Sequence, residues 1–98
     1  MEQGYELVER NYRSRFGELD LVLRHADTLV FVEVKLRRGT GYGHPLDAVT
    51  PRKQAVIRRL AERFLAEKEP DFDTVRFDVV GILVGQGGPR LVHVPDAF

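Results

Sequence analysis

Apolar residues follow a period of two through most of this chain and shift to a helical period once. From Leu19 to Arg24, Leu19, Leu21 and Leu23 fall on one side, and Asp20 and Val22 on the other, with Glu18 just before them on that side. Thr28 to Leu36 is the strongest strand pattern, rich in β-branched and aromatic residues. Its face Val30, Val32, Val34 and Leu36 is wholly apolar, while Glu33 and Lys35 share the opposite face. Tyr5–Tyr12, Val75–Val84 and Arg90–Val94 complete the predicted strands. His25-Ala26-Asp27 and Gly85–Pro89 read as turns, and the glycine-rich stretch Gly39–Pro45 as a loop. A helix is predicted from Pro51, with Thr50 as N-cap and Ile57, Leu60, Ala61, Phe64 and Leu65 as its apolar stripe, ending before Pro70.

The order βββαββ predicts one α+β domain over residues 1–98, with a mixed sheet and a packed helix. The short second turn makes strands two and three an antiparallel hairpin. The helix between strands three and four is a crossover, which predicts that this pair runs parallel.

Ninety-eight residues suffice for one core, and no apolar run is long enough to span a bilayer. There is no basic-then-apolar leader at the N-terminus and there are no cysteines, which suits a reducing cytoplasm and excludes thiolate chemistry. The formal charge is zero, yet it is unevenly spread. Between Lys35 and Arg63, eight basic residues stand against two acidic ones. Arg37, Arg38, Arg52, Lys53 and Arg59 within this segment are the candidate contacts to a polyanion such as DNA. A solvated helix face beside a basic loop explains the charge equally well.

The chemistry concentrates on two strands. In a hairpin, Asp20 and Glu33 lie on one face and within a few ångströms of each other. Two carboxylates so placed repel unless one binds a proton or a cation lies between them. A hard divalent ion, Mg²⁺ or Mn²⁺, suits such oxygen ligands, with the backbone carbonyl of Val34 as a further donor. Lys35, on the same face as Glu33, is placed to orient a water or to stabilise charge on phosphorus. The alternative is an ordinary ion-paired face, Glu33 with Lys35 or Arg24, and Asp20 with a neighbouring arginine.

Three segments carry a resemblance: Gly17-Glu18-Leu19-Asp20-Leu21-Val22, Leu29-Val30-Phe31-Val32-Glu33-Val34-Lys35 and Val49-Thr50-Pro51-Arg52-Lys53-Gln54. Together with Gly4-Tyr5, Arg10-Asn11-Tyr12, Arg76-Phe77-Asp78-Val79-Val80 and Ala97-Phe98, they closely resemble the YraN-type family. That family comprises predicted endonucleases similar to archaeal Holliday junction resolvases, in the D…(D/E)-x-K superfamily. The resemblance implies a restriction-endonuclease-like fold and metal-dependent hydrolysis of DNA, at branched or structured sites. It makes Asp20 and Glu33 the metal-binding acids and Lys35 the catalytic lysine. Family members usually begin with an extra helix bearing an Arg-x-x-Gly-Glu-like motif, and this sequence opens at the strand that follows it. By the same analogy a homodimer is expected.

Other residues carry weaker signals. Gln54 shares the helical face of Ile57 and Ala61, and is expected either to support the lysine end of the third strand or to satisfy backbone groups as a buried amide. Glu18 is a candidate supporting ligand or the partner of Arg15, and Asp78 is expected to pair with Arg76. His25, His44 and His93 show no metal-ligand spacing. A non-catalytic DNA-binding module is the competing function. A paired-carboxylate glycosidase leaves Lys35 without a task, and the loop lacks a P-loop pattern.

Overall fold

The computed structural model describes residues 4–38, 45–85 and 87–98. Five strands form one sheet in the order β1-β2-β3-β4-β5: β1 (Tyr5–Ser14), β2 (Gly17–His25), β3 (Thr28–Arg38), β4 (Thr74–Gly85) and β5 (Gly88–Val94). β1, β2 and β3 are successively antiparallel, β3 and β4 run parallel, and β5 returns antiparallel to β4. A single 3-10 turn, Pro45–Ala48, leads into helix α1 (Pro51–Lys68), which makes the crossover. This is the expected α+β arrangement, with strand ends at most two residues longer than the hydrophobic pattern marks. Of the expected loop Gly39–Pro45, residues 39–44 lie outside the described residues.

The helix forms where its capping residues require. Thr50 is extended, and its Oγ1 accepts the Lys53 N–H at 3.2 Å, with Pro51 in the first helical position. At the other end Glu69 adopts a left-handed conformation (φ 47°) and donates its N–H to Leu65 O before Pro70. Ile57, Leu60, Ala61 and Phe64 are buried against Leu29, Phe31, Phe77 and Val79 of the sheet. Phe31 meets Phe64 edge-on and stacks on Phe77, which stacks in turn on Phe98. The start of β4 is tied back to the β2–β3 turn through Asp73 N–H to Asp27 O at 2.8 Å. Among the described residues no helix is long and apolar enough to cross a membrane.

Alternation fails at one expected position. Leu19 joins the helix-side cluster with Val22, whereas Leu21 and Leu23 belong to the cluster on the opposite face with Val30, Val32 and Val34. The cause lies in β1. Asn11, opposite the break between Leu19 and Leu21, takes a positive φ of 55°, and farther along the pairing with β2 slips by one residue between Leu7 and Glu9. A bulge and a left-handed residue sharpen the natural twist of a two-stranded ribbon. The ribbon therefore coils over α1. Tyr12 Oη donates to Glu67 at 2.9 Å, and a Cβ at Gly17 (φ 145°) would lie 3.6 Å from Leu60.

The opposite face carries a polar cluster. Asp78 is fully buried and accepts from Arg76 through two bonds of 2.8 Å, from the Asp96 N–H at 3.0 Å, and lies 2.7 Å from His93 Nε2. The expected Arg76–Asp78 pair is present, and His93 with the C-terminal backbone completes it. Burial alone would raise the Asp78 pKa; Arg76, the Asp96 N–H and His93 outweigh that and hold it below the usual carboxylate range.

Candidate metal and carboxylate site

The site arises where β2 and β3 part. Their last registered pair is Leu21 with Val32, which makes Asp20 and Glu33 the next facing positions. β3 continues beside β4 as far as Arg38, while β2 follows the coiled ribbon toward the helix. In the gap, Asp20 Oδ2 accepts the Val34 N–H at 2.8 Å, where a ladder carbonyl would otherwise stand. A residue in an extended strand directs its N–H and C=O to the same side, so the Val34 carbonyl also faces this gap.

Glu33 is 5% exposed, an uncommon state for a carboxylate. Burial, then hydrogen bonding to the Asp20 carboxyl and its negative charge, push the Glu33 pKa up to about 7; Lys53 and Lys35 pull it partly back. The two acids expected to converge are therefore adjacent. A cation placed between them would compete with the proton that burial and the Asp20 carboxyl favour on Glu33.

Lys35 Nζ lies 3.6 Å from Glu33 Oε2, and Lys53 Nζ lies 3.5 Å from the same oxygen. Lys53, expected as a polyanion contact, is thus part of the site. A crossover helix runs back along its strand, so the first turn of α1 meets the C-terminal end of β3, where Lys35 stands. Gln54 does not reach Lys35. Its Nε2 donates to Val49 O at 3.0 Å and secures the chain entering the helix. Glu18 pairs with Arg13 at 2.7 Å rather than with Arg15, because the two are registered partners across β1 and β2.

The ion-paired alternative holds for Glu33 with Lys35 and not with Arg24, whose guanidinium bonds to Asp71 O at 2.7 Å. No described arginine pairs with Asp20. The donor set is two carboxylates and a backbone carbonyl. No group of three histidine, cysteine or acidic side chains that could hold a metal occurs among the described residues. Such a set fits a hard divalent cation that keeps several waters, and suits zinc or copper poorly.

The other basic residues spread along the fold. Arg38 and Arg52 are exposed, and Arg37 bonds to Leu36 O at 3.0 Å. Arg59 lies over the Phe16 ring at 4.5 Å, while Arg58 lies over Phe77 at 4.7 Å. His25 stacks on Tyr5 with centroids 4.4 Å apart, and His44 lies outside the described residues.

The model of the family described as Uncharacterised protein family UPF0102 matches residues 1–82. A UPF0102 protein of Rhodococcus opacus (strain B4) is 54% identical over 98 residues, covering 99% of this chain and 83% of the relative. One from Syntrophomonas wolfei is 46% identical over 96 residues, covering 98% and 84%. One from Nocardia farcinica is 50% identical over 96 residues, covering 97% and 76%.

Proposed function

The chain belongs to the UPF0102 family, and from the carboxylate pair of Asp20 and Glu33 we propose that it is a divalent-metal-dependent endonuclease acting on DNA. The carrying observation is the adjacency of Asp20 and Glu33 at the opened end of the β2–β3 ladder, with Lys35 next along the same face. Asp20, Glu33 and the Val34 carbonyl would hold Mg²⁺ or Mn²⁺, which supplies Lewis acidity at the scissile phosphoryl group.

The protein's own groups carry the remaining tasks. Asp20 is fixed by the Val34 N–H, so its carboxylate meets its partner without reorganising. Lys35 and Lys53 place two ammonium groups beside Glu33, where negative charge on a pentavalent phosphorus would develop. Lys35 is the residue assigned to the transition state, and Lys53 holds Glu33 from the opposite element. A branched or otherwise structured DNA is the proposed substrate, following the family resemblance.

The test is cleavage of linear and branched DNA with Mg²⁺ or Mn²⁺, and with chelator. Cutting that requires the metal is the expected result. DNA binding that persists in chelator without cutting in any metal would overturn the reading in favour of a non-catalytic binding module.

A further inference from the structure

The tip of the β1–β2 hairpin carries an exposed aromatic ring flanked by cations. Phe16 is 39% exposed. The Arg15 guanidinium lies 5.5 Å from its centroid and that of Arg59 lies 4.5 Å away. Both arginines are exposed, and neither forms an ion pair among the described residues. Stacking on a ring uses the guanidinium charge but leaves its N–H donors free for an anion. It also orders two long side chains in advance, lowering the entropy lost on binding. Arg52, Arg59 and Arg63 are separated by seven and four residues, so they share one exposed row of α1 beside this tip.

The helix fixes how far this patch lies from the carboxylates. A Cβ at Gly17 would lie 3.6 Å from Leu60 and 3.7 Å from Val56. Lys53, which touches Glu33, precedes those residues on the same helix by one to two turns. At ~1.5 Å per residue the tip stands roughly 5–11 Å along the axis from Lys53. That is about two to three nucleotides at the ~3.4 Å rise of one strand.

We propose that Arg15 and Arg59, held together by Phe16, form a contact to the DNA phosphate backbone, apart from the scissile phosphate that a cation at Asp20 and Glu33 would take. The proposal rests on the DNA reading above and adds the surface that sets the strand's direction across the site. Contacts of this kind position a duplex without reading its sequence. The wider basic row on α1 extends the path away from the carboxylates.

The experiment is fluorescence anisotropy of a labelled DNA duplex against KCl, with chelator present, and with melting temperature recorded for every variant. The double variant Arg15→Gln/Arg59→Gln is expected to flatten the slope of log affinity against log salt by about two phosphate contacts, ~0.9 each. Arg15→Gln alone, which removes only an exposed group, should flatten it by about half as much. Phe16→Leu keeps both charges and should leave the slope unchanged. Slopes equal to wild type in the arginine variants, or no DNA binding by wild type, would overturn the proposal. A flattened slope in a protein that never cuts would uphold this contact while sinking the nuclease reading, so the two failures are separable.

Discussion

Lys35→Ala should lose cleavage by about 10²–10³-fold while its affinity for DNA in the presence of metal stays within about threefold of wild type. Lys35 Nζ lies 3.6 Å from Glu33 Oε2, where the proposed mechanism has it act on charge that develops at the phosphoryl group. An effect confined to the transition state lowers turnover and spares binding. The substitution leaves Glu33 with Lys53 at 3.5 Å, so the carboxylate keeps one cation and the fold is expected to survive. Circular dichroism checks that first. Asp20→Ala gives the contrast, since it should lose metal affinity and cleavage together. A folded Lys35→Ala protein cutting at the wild-type rate would return Glu33 and Lys35 to a structural ion pair.

The largest stability loss is expected at Asp78. Asp78→Asn keeps the shape but removes the charge that Arg76, His93 and the Asp96 N–H all address. Leaving part of a buried pair without its partner typically costs about 3–5 kcal/mol. Arg76 is partly solvated, so the low end, ~3 kcal/mol, is expected, or a fall in Tm on the order of 15 °C for a chain of this size. The pH dependence has a definite sign. The Asp78 pKa is depressed in the folded protein below its ordinary 3.8, so its contribution is complete above that pH and lost as pH falls through the folded value. The stability gap between wild type and Asp78→Asn should hold from neutral pH to about 4 and narrow only below it. Urea unfolding at several pH values measures this. A gap under about 1 kcal/mol at pH 7 would show that the cluster adds little.

The strands, the helix and their order were legible because period-two alternation and the Thr50-Pro51 cap are local signals. The meeting of Asp20 and Glu33 was legible for a related reason. A short turn fixes hairpin register, and register alone decides which residues face each other. What the pattern could not show depends on irregular backbone or on distant chain. Leu19 turns toward the helix where the chain opposite it bends at Asn11, whose φ is positive, and nothing in the alternation marks that residue. Lys53 rather than Gln54 reaches the site because the rotation of α1 about its axis is set by packing of Ile57, Leu60, Ala61 and Phe64. The apolar stripe marks the buried face, but at the first turn, before Ile57, it does not separate Lys53 from Gln54. His93 and Asp96 join Asp78 only because β5 returns beside β4, a pairing that fixes no side-chain chemistry in advance.

Calorimetric titration of the protein with Mn²⁺ near pH 7, in buffers of different ionisation enthalpy, tests the carboxylate pair as a metal centre most directly. Glu33 holds a proton with a pKa of about 7 beside Asp20, so a cation bound between them must displace it. Mn²⁺ is expected to bind with release of a fraction of a proton, a release that grows toward pH 6 and vanishes toward pH 9. Asp20→Asn retains an oxygen acceptor for the Val34 N–H, yet should abolish the binding. Mn²⁺ binding of equal strength in Asp20→Asn, or no binding by wild type at millimolar metal, would contradict a metal centre at this pair.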